Sequence, residues 1–167
     1  MSVIFGEKSV FAVECEFTSQ EGSWVYGSFR VWLAGSAIGT YSEEVLNLTG
    51  TTGVLREPVQ ASSILAGRLG STQFLRRVFE PNFGNGENSQ KEQLEWGRYR
   101  WLAYCEGFET VFSAAALVGH EVRIVWRLTD QGPVNECFIP IATYSAVCAK
   151  FVAWLDHELE ERRRGIQ

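Results

Sequence analysis

Residues 10–33 read VFAVECEFTSQEGSWVYGSFRVWL, two alternating runs around a polar centre. In Val10 to Phe17, the side chains of Phe11, Val13, Cys15 and Phe17 point one way and those of Val10, Ala12, Glu14 and Glu16 the other, the period-two pattern of a half-buried strand. In Ser23 to Leu33, one face carries Val25, Gly27, Phe29, Val31 and Leu33, and the opposite face Trp24, Tyr26, Ser28, Arg30 and Trp32. TSQEG between them reads as a turn, so the two runs make an antiparallel hairpin. Matching the aliphatic faces sets Phe17 opposite Val25 and Val13 opposite Phe29, with Glu14 and Glu16 on the face of Tyr26, Ser28 and Arg30. The second strand then has two largely apolar sides: either helices cover both, or its aromatics stand partly exposed as binding anchors.

Working outward, Ala34-Gly35-Ser36 predicts a tight turn into a short strand around Ile38 to Tyr41. Ser42-Glu43-Glu44 ahead of Val45, Leu46 and Leu48 reads as a capped helix start, closed by Gly50 and Gly53. Two helices are expected between Glu57 and Glu80. The first has Pro58 in its first turn and Ile64, Leu65 and Leu69 at helical spacing, and the second carries the stripe Phe74, Leu75, Val78 and Phe79. Residues 81–89, PNFGNGENS, read as the longest exposed loop. Trp96 to Trp101 alternates loosely. Val111 to Val118, the turn Gly119-His120-Glu121 and Val122 to Leu128 read as a second hairpin, with Val134 to Ile139 as a further strand. Beyond Pro140, apolar residues from Ile141 to Leu159 hold a 3.6-residue stripe that ends in the solvated run EERRRGIQ. The expected class is α+β: an antiparallel sheet, built from the N-terminal hairpin plus a C-terminal β-meander, packed with helices that include a long C-terminal amphipathic one. With no internal repeat or low-complexity tract, a single domain over residues 1–167 is expected.

The composition supports this. The 167 residues are 46% hydrophobic and 21% charged, which excludes a disordered chain and suffices for one core. Fifteen Lys+Arg against twenty Asp+Glu give a net charge of −5, so no general attraction to nucleic acid or an anionic membrane is expected, and a basic protein partner is favoured. The opening MSVIFGEK lacks a basic n-region and an apolar h-region, and Ile141 to Leu155 is broken by Lys150, so a cytoplasmic chain without a membrane anchor is expected.

Sites for chemistry are sparse. The four cysteines, Cys15, Cys105, Cys137 and Cys148, show no CxxC or CxxH spacing, and only His120 and His157 could complete a zinc site, so reduced thiols and no metal are expected. Gly6-Glu7-Lys8-Ser9 lacks the upstream glycine of a phosphate loop and has an acid inserted. Nucleophilic catalysis would need Cys105 or Cys137 beside His120 or His157, both of which read as surface residues. Glu14 and Glu16, about 7 Å apart along a strand face, could in principle act as acid and base. No cofactor is implied.

The N-terminal third is more specific than its periodicity. Ile4-Phe5-Gly6-Glu7-Lys8-Ser9 leads into Phe11-Ala12-Val13-Glu14, then Gly22-Ser23-Trp24-Val25-Tyr26-Gly27, Val31-Trp32-Leu33-Ala34-Gly35 and Ile38-Gly39. These segments, in this order and at this spacing, resemble the opening of immunity-protein family 42 of bacterial polymorphic toxin systems. The likeness covers residues 4 to 45; Glu7 and Thr40 stand where the family tends to have Asp. The resemblance implies a non-enzymatic cytosolic protein that binds a cognate toxin domain and blocks it, with no residue-level site to carry over. Together with the two-sided strand it selects Glu14, Glu16, Trp24, Tyr26 and Arg30 as candidate partner-binding residues. A small cytosolic hydrolase and a self-associating adaptor remain as alternatives.

Overall fold

The computed structural model describes residues 2–39, 41, 46–80, 87–102, 105 and 107–165. The class is α+β, as expected, and the hairpin and the meander form two separate antiparallel sheets. The first contains β1 (Val3–Glu7), β2 (Phe11–Glu21), β3 (Trp24–Leu33) and β4 (Ser36–Ile38) in that spatial order, with the short β5 (Leu46–Asn47) also on β3. The helices α1 (Leu48–Gln60), α2 (Ile64–Arg68), α3 (Ser71–Phe79) and α4 (Glu87–Gly97) follow. The second sheet is β6 (Phe112–Val118), β7 (Glu121–Arg127) and β8 (Asn135–Pro140), and α5 (Ile141–Gly165) closes the described chain.

The hairpin register differs from the expected one by two residues: Phe17 lies opposite Gly27 and Val13 opposite Val31. The segment read as a turn is mostly strand. Only Gly22 and Ser23 connect the strands, with Gly22 at φ +59°, and Thr18 is an extra residue between Phe17 and Ser19. That bulge has a purpose in the pattern. The two-residue turn alone pairs odd with even positions, as in Ser19 with Tyr26; the extra residue shifts the pairing so that the two aliphatic faces coincide from Phe17 back to Phe11. A shift of two leaves the faces unchanged, so Glu14 meets Arg30 and Glu16 meets Ser28 on one side.

Inward, Phe11, Val13, Cys15, Val25, Phe29, Val31 and Leu33 are fully buried against α1, α5 and one face of the second sheet. Phe11 stacks on Tyr144, whose hydroxyl donates to the Leu55 carbonyl at 2.7 Å and so ties α5 to α1. Tyr144, Val147, Cys148, Phe151 and Leu155 realise the predicted stripe of α5. At roughly 1.5–3 kcal/mol for each large apolar side chain removed from water, this face accounts for why the helix holds its place. The other face of the second sheet has its own core, in which Ala114, Ala116 and Val125 pack with Ala66, Phe74, Leu75, Val78, Trp96 and Tyr99.

Several expected boundaries move. The expected start at Ser42 lies outside the described residues; α1 begins at Leu48, where the Asn47 side chain accepts from the Gly50 amide at 3.1 Å. It runs through Gly50 and Gly53 and carries Pro58 in its last turns, because burial of Leu48, Thr51 and Leu55 outweighs a glycine cost of about 1 kcal/mol each. The helix expected from Pro58 to Leu69 is therefore the end of α1 plus the separate α2, capped by Ser63. Of the expected loop at 81–89, residues 81–86 lie outside the described set and 87–89 open α4. Trp96 to Trp101 is not a strand: it is the end of α4, a turn and an isolated bridge from Arg100 to Ala114, with Trp96 and Tyr99 drawn into the second core.

Candidate functional site

The turn between β3 and β4 builds the site's frame. Ala34 (φ +48°) and Gly35 (φ +86°) are both left-handed, the geometry of a tight hairpin turn of the primed type. Their amides donate to the carbonyls of Val10 and Lys8 at 3.0 and 2.8 Å, which docks this turn onto the one between β1 and β2. Lys8 is thereby brought over the Trp32 ring, 4.2 Å from its centroid.

Beside it lies Glu14, whose side chain is only 6% exposed although it projects from the outer face. One carboxylate oxygen, Oε2, accepts from Arg30 Nε at 2.8 Å and from Trp32 Nε1 at 2.7 Å, and lies 3.2 Å from Lys8 Nζ. The Arg30 hydrogen bond, with those from Trp32 and Lys8, overcomes the opposing effect of burial and pulls the carboxyl down to about 2. The Arg30 guanidinium is held between the rings of Trp32 and Tyr41, at 4.9 and 4.5 Å from their centroids. Among the described residues no acceptor meets its terminal nitrogens, and 27% of the side chain is exposed. A planar cation packed against two aromatic rings and fixed at Nε is pre-ordered, so little entropy remains to be lost when its fork meets a partner.

The five candidates thus sit on one face but in different states. Glu14 is buried within the network, Arg30 and Glu16 are half-buried, Tyr26 is half-buried above β5, and Trp24 at the hairpin tip is 48% exposed. The helices that pack on this sheet do so on its inner side. Lys8, Trp32 and Tyr41 complete the cluster and were not among the candidates; the sequence signal for the first two was their place inside the IFGEKS and VWLAG segments.

The geometry offers little to catalysis. A glutamate held at about 2 is neither an acid nor a base near neutrality, and Glu14 cannot pair with Glu16 in that work. Burial pushes the thiols of Cys105, Cys137 and Cys148 up to about 11, 12 and 12, and that of Cys15 higher still. His120 and His157 are exposed. Among the described residues no three His, Cys, Asp or Glu side chains converge as metal ligands, and no helix is long and apolar enough to cross a membrane. The groove between α1 and α5, about 250 Å³, is lined by Leu55, Val59, Tyr144 and Cys148, with Arg56 its charged residue.

A sequence comparison with curated proteins finds no match. Among solved structures, the chain is similar to the crystal structure of CdiI from Burkholderia dolosa AUO158, with a TM-score of 0.61 at 9% identity, over 90% of this chain and 99% of that one. At that identity the likeness is one of fold. The model of the family described as immunity protein 42 matches residues 1–154, and the chain belongs to that family.

Proposed function

We propose that this immunity protein neutralises its cognate toxin without chemistry of its own, by laying the outer face of the first sheet over a functional surface of the toxin domain. The observation that carries this reading is the Glu14–Arg30–Trp32–Lys8 cluster, on a sheet face that carries the exposed Trp24 at its far end. Trp, Tyr and Arg side chains dominate binding hot spots, and here they occupy the sheet face opposite the one on which α1 and α5 pack. The net charge of −5 favours encounter with a basic toxin. In this reading the chain works in the cytoplasm of the producing cell, as one domain.

The test is co-expression with the toxin domain encoded immediately upstream. The intact protein is expected to restore growth and to form an isolable complex. Trp24→Ala and Arg30→Ala are each expected to weaken that complex by about 2 kcal/mol, some thirtyfold in Kd. Growth arrest despite folded protein would overturn the neutralising role, and rescue with both substitutions silent would move the contact elsewhere.

A further inference from the structure

Lys8 and Arg30 both lean on one oxygen of one carboxylate, Glu14 Oε2, at 3.2 and 2.8 Å. The third donor to that oxygen, Trp32 Nε1, is uncharged, so the network holds two cations against one anion. Arg30 is the member with bonding capacity to spare. Its Nε–H is used by Glu14, whereas Nη1 and Nη2 meet no acceptor among the described residues and neither is closed off from solvent. What remains is the end of the fork, two parallel N–H groups whose spacing matches the two oxygens of a carboxylate. A lone carbonyl would fill one and leave the other unmet. The rings of Trp32 and Tyr41 hold the plane of the guanidinium, so the direction of approach is fixed as well. In the same row of the sheet, on the far side of Glu14, Ile4 is 44% exposed. A surface docked here covers apolar area beside the fork and keeps water from the new pair.

The surrounding charge selects among anions. Over residues 1–50, Lys8 and Arg30 stand against six glutamates, a net −4 of the chain's −5. Glu16, opposite Ser28 on the same face, belongs to that field. A negative field repels a polyanion such as a nucleic-acid backbone. A single carboxylate set in an otherwise basic protein surface satisfies both the field and the fork.

We infer that Arg30 receives one aspartate or glutamate side chain of the toxin domain, end-on and bidentate, within a toxin surface that is otherwise basic. This rests on the proposal that the outer face of the first sheet is the toxin-binding surface. Glu14 is then a positioning residue, which holds the guanidinium at Nε without competing for the two terminal nitrogens.

The test uses the complex of the full chain with the co-expressed toxin domain. Each Asp and Glu of the toxin domain is replaced in turn by Asn or Gln, and Kd is measured against the unmodified chain and against Arg30→Gln. One toxin carboxylate is expected whose replacement weakens binding to the unmodified chain about tenfold or more, and to Arg30→Gln about twofold or less. Arg30→Lys, which keeps the charge and loses the fork, is expected to weaken binding about tenfold. A second measurement needs no change to this chain. By NMR, the Arg30 Nη protons should exchange slowly with water in the complex, and lose that protection when the one toxin carboxylate is replaced. A complex in which no toxin carboxylate couples to Arg30, in which Arg30→Lys binds as tightly as the unmodified chain, or in which the Nη protons stay unprotected would overturn the inference. Nucleic-acid binding by the free chain that is lost in Arg30→Gln would overturn it as well. In each of these cases the outer-face reading stands if Trp24→Ala still weakens the complex. Absence of any complex, or a complex indifferent to both Trp24→Ala and Arg30→Ala, overturns both.

Discussion

Replacing Glu14 by Gln removes the charge at the centre of the outer-face network while leaving its shape. The carboxyl sits near 2 instead of at an ordinary glutamate value of 4.5, and a depression of that size corresponds to about 3 kcal/mol of stabilisation at neutral pH. The amide oxygen of Gln can still accept one of the three donors, so the loss at pH 7 is expected to be about 2–3 kcal/mol. Its pH dependence is the sharper part. Between the two values the unfolded chain binds a proton at this site that the folded chain does not, so lowering the pH favours unfolding. The stabilisation is complete above about 5 and disappears as the pH falls toward about 2. Urea unfolding of both proteins, measured from pH 7 to the lowest pH at which each still folds, gives the difference directly and cancels the other carboxylates. The gap should narrow steadily below pH 5. A gap that stays constant from pH 5 to 2.5, or a Glu14 carboxyl that titrates above 4 by NMR, would refute the reasoning and leave the cluster a loose surface contact.

Gly39→Ala should lower stability by about 2–3 kcal/mol in the same unfolding assay, because Gly39 has φ +92° and a Cβ there would stand 2.5 Å from the Phe108 ring. Arg123→Leu should cost about 3 kcal/mol and raise amide exchange across α2, whose last carbonyls lose their donor. The four thiols should resist alkylation at neutral pH until the chain unfolds, since all are raised by burial; rapid labelling of Cys105 or Cys137 in the folded protein would contradict the packing.

The faces of the hairpin were legible because alternation survives a shift of two residues, and the same holds for β7 and the stripe of α5. The register was not, since one inserted residue at Thr18 changes which side chains meet without disturbing either run. Gly50, Gly53 and Pro58 misled because they report local propensity, whereas α1 is set by the burial of Leu48 and Leu55. Trp96 and Tyr99 fit two periods equally over so short a span. At the candidate site, alternation marks Glu14 as outward and polar, which is true of its direction and silent about its burial. That burial depends on Lys8, six residues earlier, and on Trp32, eighteen later, which meet only once two turns have docked.

Strand β7 divides two apolar cores: Val122, Ile124 and Trp126 belong to one, while Val125 belongs to the other. Residues adjacent along this strand are therefore remote in energetic terms, and volume changes at Ile124 and Val125 should nearly add, whereas changes at Ile124 and Trp126 share neighbours and should couple. Sequence drift within the family can thus repack one interior while the other keeps its shape.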